Sequence, residues 1–531
     1  MSLPLLVGLT DVTRAGTERI DRGARQVDRR FRRRALRALR GSKSVDAVIR
    51  RAWLTRVTDR ATYQAQRRAL SRARRAAATL TGVRGYEQRN ALRIVENLAA
   101  GGILTTDRLY PVILTLSRNT DWWTRRNPPR VGRSLVRGAD PVTLRYAPGR
   151  GLILHQLGSW GRVSSLAGEC LRDRAHCPRR RLRTAVNRLL ALGVRRDGVL
   201  RFESYFSWSG AHAPWISAMT QGTAIQALVR TSVILHSPKD AKYARAALGA
   251  FARPAPVGVA VRAPGGRHYV MYSSAPSLRI LNGHLRALTG LRDLASLGES
   301  GRALELYRRG ERAARVELRK ADTGAWSRYS DGGKEASLAY HRLVTSFLKD
   351  LCDREAGRRY CTATKRFARY VREPTRVGLR VTKRPRAQAA AGVSVWVSKV
   401  STVAVRIRDA SGRTVMSRDT TLTRGSHRFG WSAPRKGKYA VQVVAVGPGS
   451  PPPGRATAAV KVRRSAAEVA RARARAKAKA RAKAKAKARA KAEREAKQRR
   501  AKAEARKRAQ KDARAEAQRT GQSSRTAVPE G

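Results

Sequence analysis

Apolar residues recur at helical spacing through the middle of the chain. They fall three or four positions apart in successive stretches of about 12 to 18 residues, and loops rich in glycine, proline and aromatic residues separate these stretches. The clearest apolar faces are Leu92/Val95/Leu98, Val186/Leu189/Leu190, Ile225/Leu228/Val229, Leu281/Leu285/Leu288/Leu291 and Val344/Phe347/Leu348/Leu351. Convincing strands are scarce between them. The pattern favours a mainly α fold, an α/α barrel or toroid of helical hairpins, over a βαβ fold.

The apolar pattern changes to a period of two after Pro374. Val403, Val405 and Ile407 alternate with smaller or charged residues, and a glycine-bearing turn follows. A second pair of strands is predicted in "HRFGWSAPRKGKYAVQVVAVG", and "GPGSPPPG" is predicted to be a loop within the last hairpin. Short strands with regular turn signals predict a small β-sandwich of immunoglobulin type over residues 374–463.

The two ends of the chain differ from the middle in composition. Residues 1–80 are rich in arginine and alanine with few large apolar groups, which predicts a basic N-terminal arm, poorly ordered or helical, without a core. Residues 464–531 are a low-complexity tract of alanine, lysine and arginine. These are strong helix formers without an apolar stripe, so the tract is predicted to be a solvated helical or disordered tail. The helical domain between the ends is expected to span residues 81–373.

The charge of the chain favours an anionic partner. The 531 residues include 114 Lys plus Arg against 37 Asp plus Glu, a formal net charge of +77. Such a field attracts nucleic acid, acidic polysaccharide or an anionic cell envelope, although arginine-rich genome composition accounts for much of it equally well. The tail fits counterion-releasing contact with an envelope or with nucleic acid, or a spacer role. No nucleic-acid recognition motif is evident, and the oligomeric state is left open.

The four cysteines fall in two close pairs, Cys170 with Cys177 and Cys352 with Cys361. Local disulfides in an oxidising compartment fit this spacing, and four buried thiols in a cytosolic protein are the alternative. The apolar stretch at the start of the chain has no basic segment before it and no clear cleavage site after it, so a signal peptide is not expected there. No apolar run reaches the ~18 residues of a membrane span. Export or envelope association is expected from the cysteines, with a cytoplasmic location left open.

Aromatic loops carry the candidate chemistry. The chain has no HExxH, GxSxG or P-loop motif and no CxxC pair, so neither a metal nor a cofactor is expected. Tyrosine, tryptophan and histidine concentrate instead in three loop segments, around residues 202–217, 268–284 and 321–341. A phenol, with an ordinary pKa near 10, relays protons when cationic neighbours stabilise its phenolate. The same cations would hold an acidic substrate.

Three blocks in these loops resemble the C-terminal helical domain of D-glucuronyl C5-epimerases. The blocks are "PWISAMTQGTAIQALVR", "YSSAPSLRILNGHLRALTGLRDL" and "DTGAWSRYSDGGKEASLAYHRLVTSFLKDL". Their order and approximate spacing match the family, and the resemblance covers about residues 140–371. It implies an α/α domain that inverts C5 of glucuronate within a polysaccharide, by removing the proton α to the carboxylate and returning one to the opposite face.

The resemblance also implies which residues do this chemistry. Family tyrosines fall on Tyr272, Tyr329 and Tyr340, which are therefore the expected acid/base residues. His341 is expected to orient a neighbour or contact the carboxylate, and no redox cofactor is implied. The remaining candidates for substrate contact are Arg328, Lys334, Trp326, Trp215 and Asn282.

The chain departs from the family pattern at two places. Met271 stands where the family commonly has glutamate before the first tyrosine, and no arginine follows the second tyrosine in "YSDGG". Arg328 and Lys334 are the nearby cations that could anchor a carboxylate instead. If Arg328 and Lys334 do not take this role, weak activity or a different substrate is expected.

Candidate site residues could instead have a purely structural role. Tyr272 and Tyr340 could pack with bonded hydroxyls, Asn282 could cap the following helix, and the tryptophans could be core residues. At the level of function, the alternatives are a uronate polysaccharide lyase, which shares the C5 proton abstraction, and a non-catalytic glycan or envelope-binding protein on the same fold.

Overall fold

The computed structural model describes residues 29–354 and 357–521, with side chains up to residue 518. The chain divides into two compact units. The first ends at Glu373 and includes Pro448–Pro451, and the second comprises Pro374–Gly447 and the chain from Pro452 onward. The start of the expected N-terminal arm, with the segment considered for a signal peptide, and residues 522–531 of the expected tail lie outside the described residues.

The first unit begins with helices in a region for which the sequence predicted no core. Residues 29–38 are helical, and α1 (Val45–Leu54), α2 (Arg60–Thr79), α3 (Gly82–Ala100) and α4 (Leu109–Trp123) follow. The expectation of a coreless arm is wrong for residues 45–79, because Val48, Ile49 and Leu70 are buried. Alanines such as Ala73 complete this core, since their small side chains let helices pack closely.

A three-stranded antiparallel sheet follows α4. Its strands β1 (Ser134–Leu135), β2 (Leu144–Ala147) and β3 (Gly151–Leu154) lie in sequence order. Strands β2 and β3 form a hairpin, with Ala147 paired to Gly151 at its turn. Helices α5 (Gln156–Arg172) and α6 (Arg179–Leu190) come next. This hairpin becomes important for the candidate site.

The remaining helices of the first unit pack as consecutive pairs. They are α7 (Ala218–Ile234) with α8 (Pro238–Ala252), α9 (Leu281–Leu297) with α10 (Gly301–Ala321), and α11 (Leu338–Cys352) with α12 (Arg358–Arg372). Helices α7 and α9 also pack tightly together. They are so close that a Cβ at Gly290 would collide with the carbonyl oxygen of Gly222. The apolar face predicted from Leu281 to Leu291 is buried. The mainly α prediction is confirmed for this unit, whereas barrel closure stays a prediction.

Short strands in this unit were not foreseen. They form antiparallel pairs: β4 (Val194–Arg196) with β5 (Val199–Arg201), β6 (Glu203–Ser204) with β7 (Trp215–Ile216), and β8 (Ala260–Ala263) with β9 (Gly266–Tyr269). Strands this short carry too few positions for a readable alternation. Both expected cysteine pairs are disulfides, Cys170–Cys177 and Cys352–Cys361, which is compatible with an extracellular location.

The second unit contains two antiparallel sheets. Its strands are β10 (Val377–Val381), β11 (Ala390–Val397), β12 (Ser401–Asp409), β13 (Thr414–Leu422), β14 (Gly425–Ser432), β15 (Gly437–Val446) and β16 (Gly454–Val462). The sheet orders are β10-β11-β14 and β13-β12-β15-β16. Val403, Val405 and Ile407 are buried, as their alternation predicted, in a core that includes residues of both sheets. The immunoglobulin type of this unit stays a prediction.

A long helix ends the described chain. Helix α13 (Ala466–Gly521) has almost all of its described side chains exposed, in agreement with its lack of an apolar stripe. Within the described ranges, none of the helices combines the length and apolarity needed to span a membrane.

Candidate functional site

Main-chain hydrogen bonds bring three loops together in the first unit. The Ser273 amide donates to the Ile216 carbonyl oxygen at 3.0 Å, which joins the loop before α7 to the loop before α9. The Asp331 amide donates to the Arg279 carbonyl oxygen, also at 3.0 Å, which joins the latter loop to the one before α11. These are the three aromatic segments picked out in the sequence. Their side chains therefore meet in one place.

Tyr272 lies at the centre of this meeting point. Its side chain is buried, with 8 % of the residue exposed, and its ring stands edge-on to Trp215 at 5.0 Å between ring centroids. Burial raises the pKa of Tyr272 and the neighbouring Tyr340 adds to this effect, whereas hydrogen bonds to Ser209 and Trp208 lower it. The phenol is thus neutral at neutral pH, with neighbours that favour its phenolate.

Tyr329 and Tyr340 complete the cluster. Their ring centroids are 4.8 Å apart, and Tyr340 is 42 % exposed. Burial raises the pKa of Tyr329 far above its usual range, and Tyr340 and Tyr272 raise it further. The structure therefore brings together the three tyrosines singled out in the sequence, with Tyr340 at the solvent edge. We call Tyr272, Tyr329 and Tyr340 the tyrosine cluster.

His341 and Trp326 are core residues, which corrects their expected contact with substrate. Neither side chain is exposed, and their rings stack with centroids 3.8 Å apart. His341 donates from Nε2 to the Phe367 carbonyl oxygen at 2.9 Å and accepts at Nδ1 from the Ser327 hydroxyl at 2.8 Å. Trp326 donates from Nε1 to the Ala336 carbonyl oxygen at 2.7 Å. Both side chains hold the loop before α11 in place.

The two cations expected to anchor a carboxylate lie on the loop before α11. Arg328 donates to the Gly333 carbonyl oxygen at 2.9 Å, within its own loop, and it lines a small cavity whose other walls include Arg279, Glu317 and Asp331 but no tyrosine. Lys334 is exposed on the same loop. The Arg328 guanidinium group thus stabilises its own loop, and carboxylate binding by Arg328 or Lys334 stays a prediction.

Trp215 and Asn282 have surroundings that the sequence could not reveal. Trp215 is 7 % exposed and donates from Nε1 to the Phe206 carbonyl oxygen at 2.7 Å, so it supports Tyr272 and leaves little surface for a sugar. Asn282 is buried and does not cap α9, whose first flanking residue is Ile280. Among the described residues, neither amide atom of Asn282 has a hydrogen-bond partner.

Trp208, for which the sequence left sugar stacking and a core position equally open, borders the cluster together with two arginines of the β2–β3 hairpin that were not predicted as site residues. Trp208 is 39 % exposed, and its ring stands edge-on to Phe206, which packs in one apolar group with Tyr272. The Arg150 guanidinium lies over the Trp208 ring, 5.3 Å from its centroid, and the charge of Arg145 lowers the pKa of Tyr272. No sequence signal connects the hairpin with a loop more than fifty residues later, since only the tertiary fold brings them together.

His268, His284 and Glu317 form a buried group whose ligand atoms lie within 4.8 Å of one another. Their hydrogen bonds already use most of these atoms. His268 Nδ1 donates to Glu317 at 2.8 Å, while His284 accepts from the Tyr269 amide at 3.1 Å and donates to the Gly310 carbonyl oxygen at 3.0 Å. Burial lowers the pKa of each histidine to about 3. A cation here would have to displace bonds that link α9 to α10, so the group fits a structural role.

Comparison with known proteins agrees with the geometry. No curated protein matches the chain. A family model, described as D-glucuronyl C5-epimerase C-terminus, matches residues 196–369. The match contains all three tyrosines, but it begins after the β2–β3 hairpin. Residues 196–369 of this chain are therefore similar to the C-terminal domain of D-glucuronyl C5-epimerases.

Proposed function

We propose that the protein is a C5-epimerase of glucuronate residues in an anionic polysaccharide. The observation that carries the proposal is the convergence of Tyr272, Tyr329 and Tyr340 at one partly exposed cluster within the matched segment. Tyr340 and Trp208, the most exposed members of this neighbourhood, give a polymer access from solvent. An indole face also suits contact with the apolar face of a sugar ring.

The reaction needs two acid/base groups on opposite faces of the ring. A phenolate removes the C5 proton and becomes a phenol, and the electron pair of the broken C–H bond moves into the carboxylate to give an enolate-like intermediate. A second phenol then donates its proton to the other face of C5 and becomes a phenolate. The two phenols exchange protonation states, so the reverse reaction uses them in opposite roles, and solvent exchange resets them.

The surroundings of the tyrosines support a proposal for which residue takes each role. Tyr272 is the proposed base for glucuronate, because Trp208, Ser209 and Arg145 all favour its ionised form. Tyr329 is the proposed acid, because burial and neighbouring phenols keep it neutral. Tyr340, in ring contact with Tyr329 and exposed, is proposed to relay protons to solvent.

Met271 favours a second candidate function, a glycan-binding protein without catalysis. Its thioether occupies the position of the family's usual glutamate, and it packs against Gly283 at the start of α9. The chain thus lacks one carboxylate at the first tyrosine. A polysaccharide lyase is the third candidate, since it begins with the same proton abstraction and then expels the C4 substituent.

The experiment follows deuterium entry at C5 by NMR, with a glucuronate polymer in heavy water. We expect Tyr272→Phe and Tyr329→Phe each to slow exchange about 10²- to 10⁴-fold, the usual contribution of a positioned acid or base. Tyr243→Phe is the matched control, because Tyr243 is a half-buried tyrosine whose ring lies against Arg195 instead of in the cluster. Exchange in both cluster variants equal to that of the control would remove the tyrosines from the mechanism.

We also propose an architecture for each unit and a role for the tail. The paired helices of residues 81–373 are proposed to close into an α/α barrel or toroid that carries the site. The strand orders of the second unit fit a Greek-key sandwich of immunoglobulin type over residues 374–463. The cationic tail, residues 464–531, is proposed to hold the protein at an anionic cell envelope or polymer after export.

A further inference from the structure

A buried carboxylate fixes the turn of the β2–β3 hairpin. Glu87, on α3, is 1 % exposed and accepts hydrogen bonds from the Gly149 amide at 2.9 Å, the Gly151 amide at 2.8 Å and the Tyr146 hydroxyl at 3.1 Å. Charge-assisted bonds of this kind are stronger than neutral ones. They hold the backbone on both sides of Arg150. The main chain at Arg150 is therefore held in a fixed position, from which the Arg150 side chain extends.

The guanidinium group of Arg150 is held in turn by the loop that borders the tyrosine cluster. Its Nε donates to the Ser207 carbonyl oxygen at 2.8 Å, and its Cζ atom lies over the Trp208 ring, 5.3 Å from the ring centroid. Within the described residues, its two terminal nitrogens have no hydrogen bond or ion pair. The residue is half-exposed. A stacked guanidinium group with free terminal donors is a preorganised fork for a carboxylate.

Trp208 connects this fork to the proposed base. The Trp208 ring that contacts Arg150 also stands edge-on to Phe206, Phe206 stands edge-on to Trp215, and Trp215 stands edge-on to Tyr272. Arg145 extends from β2 of the same hairpin, is exposed, and is held by its Nε at 2.9 Å from the Gly132 carbonyl oxygen. Its charge also acts on Tyr272. Arg150 therefore lies against the aromatic residues that surround Tyr272, and Arg145 adds a second positive charge on the same hairpin, outside the segment that matches the family.

The other nearby arginines are already engaged. Arg328 bonds to the carbonyl oxygen of Gly333, and Arg279 pairs with Asp331 at 2.7 Å. Arg286, on α9, is partly buried and donates to the Thr223 hydroxyl at 3.0 Å. None of these three leaves an exposed guanidinium fork beside Trp208.

We propose that Arg150, assisted by Arg145, binds the carboxylate of the uronate whose C5 lies at the tyrosine cluster, and stabilises the charge that develops there when the proton leaves. The inference rests on the proposed function. It assigns to the β2–β3 hairpin the anchoring role that the loop after Tyr329 lacks, and it selects uronate polymers over neutral glycans as the substrate class.

The test measures binding of an oligosaccharide with one internal glucuronate and of its carboxyl-reduced counterpart. We expect Arg150→Gln to weaken binding of the carboxylated ligand about 10- to 100-fold, the usual effect of losing a charged hydrogen bond, and to leave the carboxyl-reduced ligand unaffected. Arg150→Lys should recover part of the loss, since it keeps the charge without the fork. The matched control is Arg126→Gln, which removes another arginine stacked on a tryptophan, 5.1 Å over Trp122.

Equal loss of affinity in Arg150→Gln and Arg126→Gln, or equal effects on both ligands, would overturn the inference and leave only a nonspecific charge effect. Failure of the proposed function has a different signature. If the unaltered protein binds the carboxylated ligand through Arg150 but incorporates no deuterium at C5, the carboxylate site stands and the epimerase proposal falls. If deuterium enters C5 at the same KM and rate in Arg150→Gln, the epimerase proposal stands and the carboxylate site falls.

Discussion

Neighbouring residues in the candidate site have different roles because of where they lie on a helix. Tyr340 is 42 % exposed and His341 is fully buried, although they are adjacent near the start of α11. Successive helical residues point about 100° apart, so one faces solvent and the next faces the core. The sequence correctly placed the tyrosines together but assigned His341 by adjacency. Nothing in the sequence indicated that the His341 ring stacks on Trp326, since the two residues are fifteen positions apart.

Replacement of His341 by alanine should affect stability and spare binding. The variant loses a stacked ring and leaves the Ser327 hydroxyl and the Phe367 carbonyl oxygen unbonded. We expect the free energy of unfolding to fall by about 3 kcal/mol, measured by urea denaturation. Under conditions in which the variant remains folded, its dissociation constant for a glucuronate polymer should equal that of the unaltered protein. Weaker binding with unaltered stability would restore His341 to a substrate-contact role.

The pH dependence of exchange should report the ionisation of Tyr272. Burial raises the pKa of this phenol above its usual value, so the phenolate is a small fraction of the protein near neutral pH. That fraction grows about tenfold per pH unit below the pKa. We therefore expect kcat/KM for C5 exchange to rise with pH between about 7 and 9. A flat or falling profile in that range would exclude a phenolate base.

At the scale of elements, the site depends on one hairpin and three loops held by α3, α7, α9 and α11. The amphipathic faces of these helices were readable because each buries a stripe of leucine, valine or isoleucine at constant spacing. The hairpin was not readable, since β2 and β3 have four residues each. Its anchor, Glu87, looks from sequence like any surface glutamate of an amphipathic helix. Only the fold shows that it is buried against the turn.

Glu87→Gln should loosen the β2–β3 hairpin and thereby weaken substrate binding by Arg150. The variant replaces a charged acceptor of three hydrogen bonds by a neutral amide, which we expect to cost about 1 to 2 kcal/mol of local stability. Hydrogen exchange at the Gly149 and Gly151 amides should accelerate, and KM for the polymer should increase more than kcat decreases. Unchanged amide protection would show that the carboxylate does not fix the turn.

In the whole molecule, the tyrosine cluster lies in a helical unit that matches the C5-epimerase family model over residues 196–369, and a strand-rich unit and a cationic helix accompany it. Alternation and composition anticipated both of these segments, because each depends on local pattern. The helical core of residues 45–79 was missed, since its closely packed alanines resemble a solvated arginine–alanine tract. The large positive charge and two disulfides fit a protein that meets acidic polymer in an oxidising compartment.

The most direct test of the central claim is incubation of the full chain with a glucuronate polymer in heavy water, followed by NMR of the sugar C5 position. A C5-epimerase should give deuterium at C5 together with new signals from the inverted uronate, and no ultraviolet-absorbing unsaturated product. Tight binding without deuterium at C5, on a set of glucuronate polymers of differing sulfation, would contradict the epimerase account. It would leave a glycan-binding protein built on an epimerase domain.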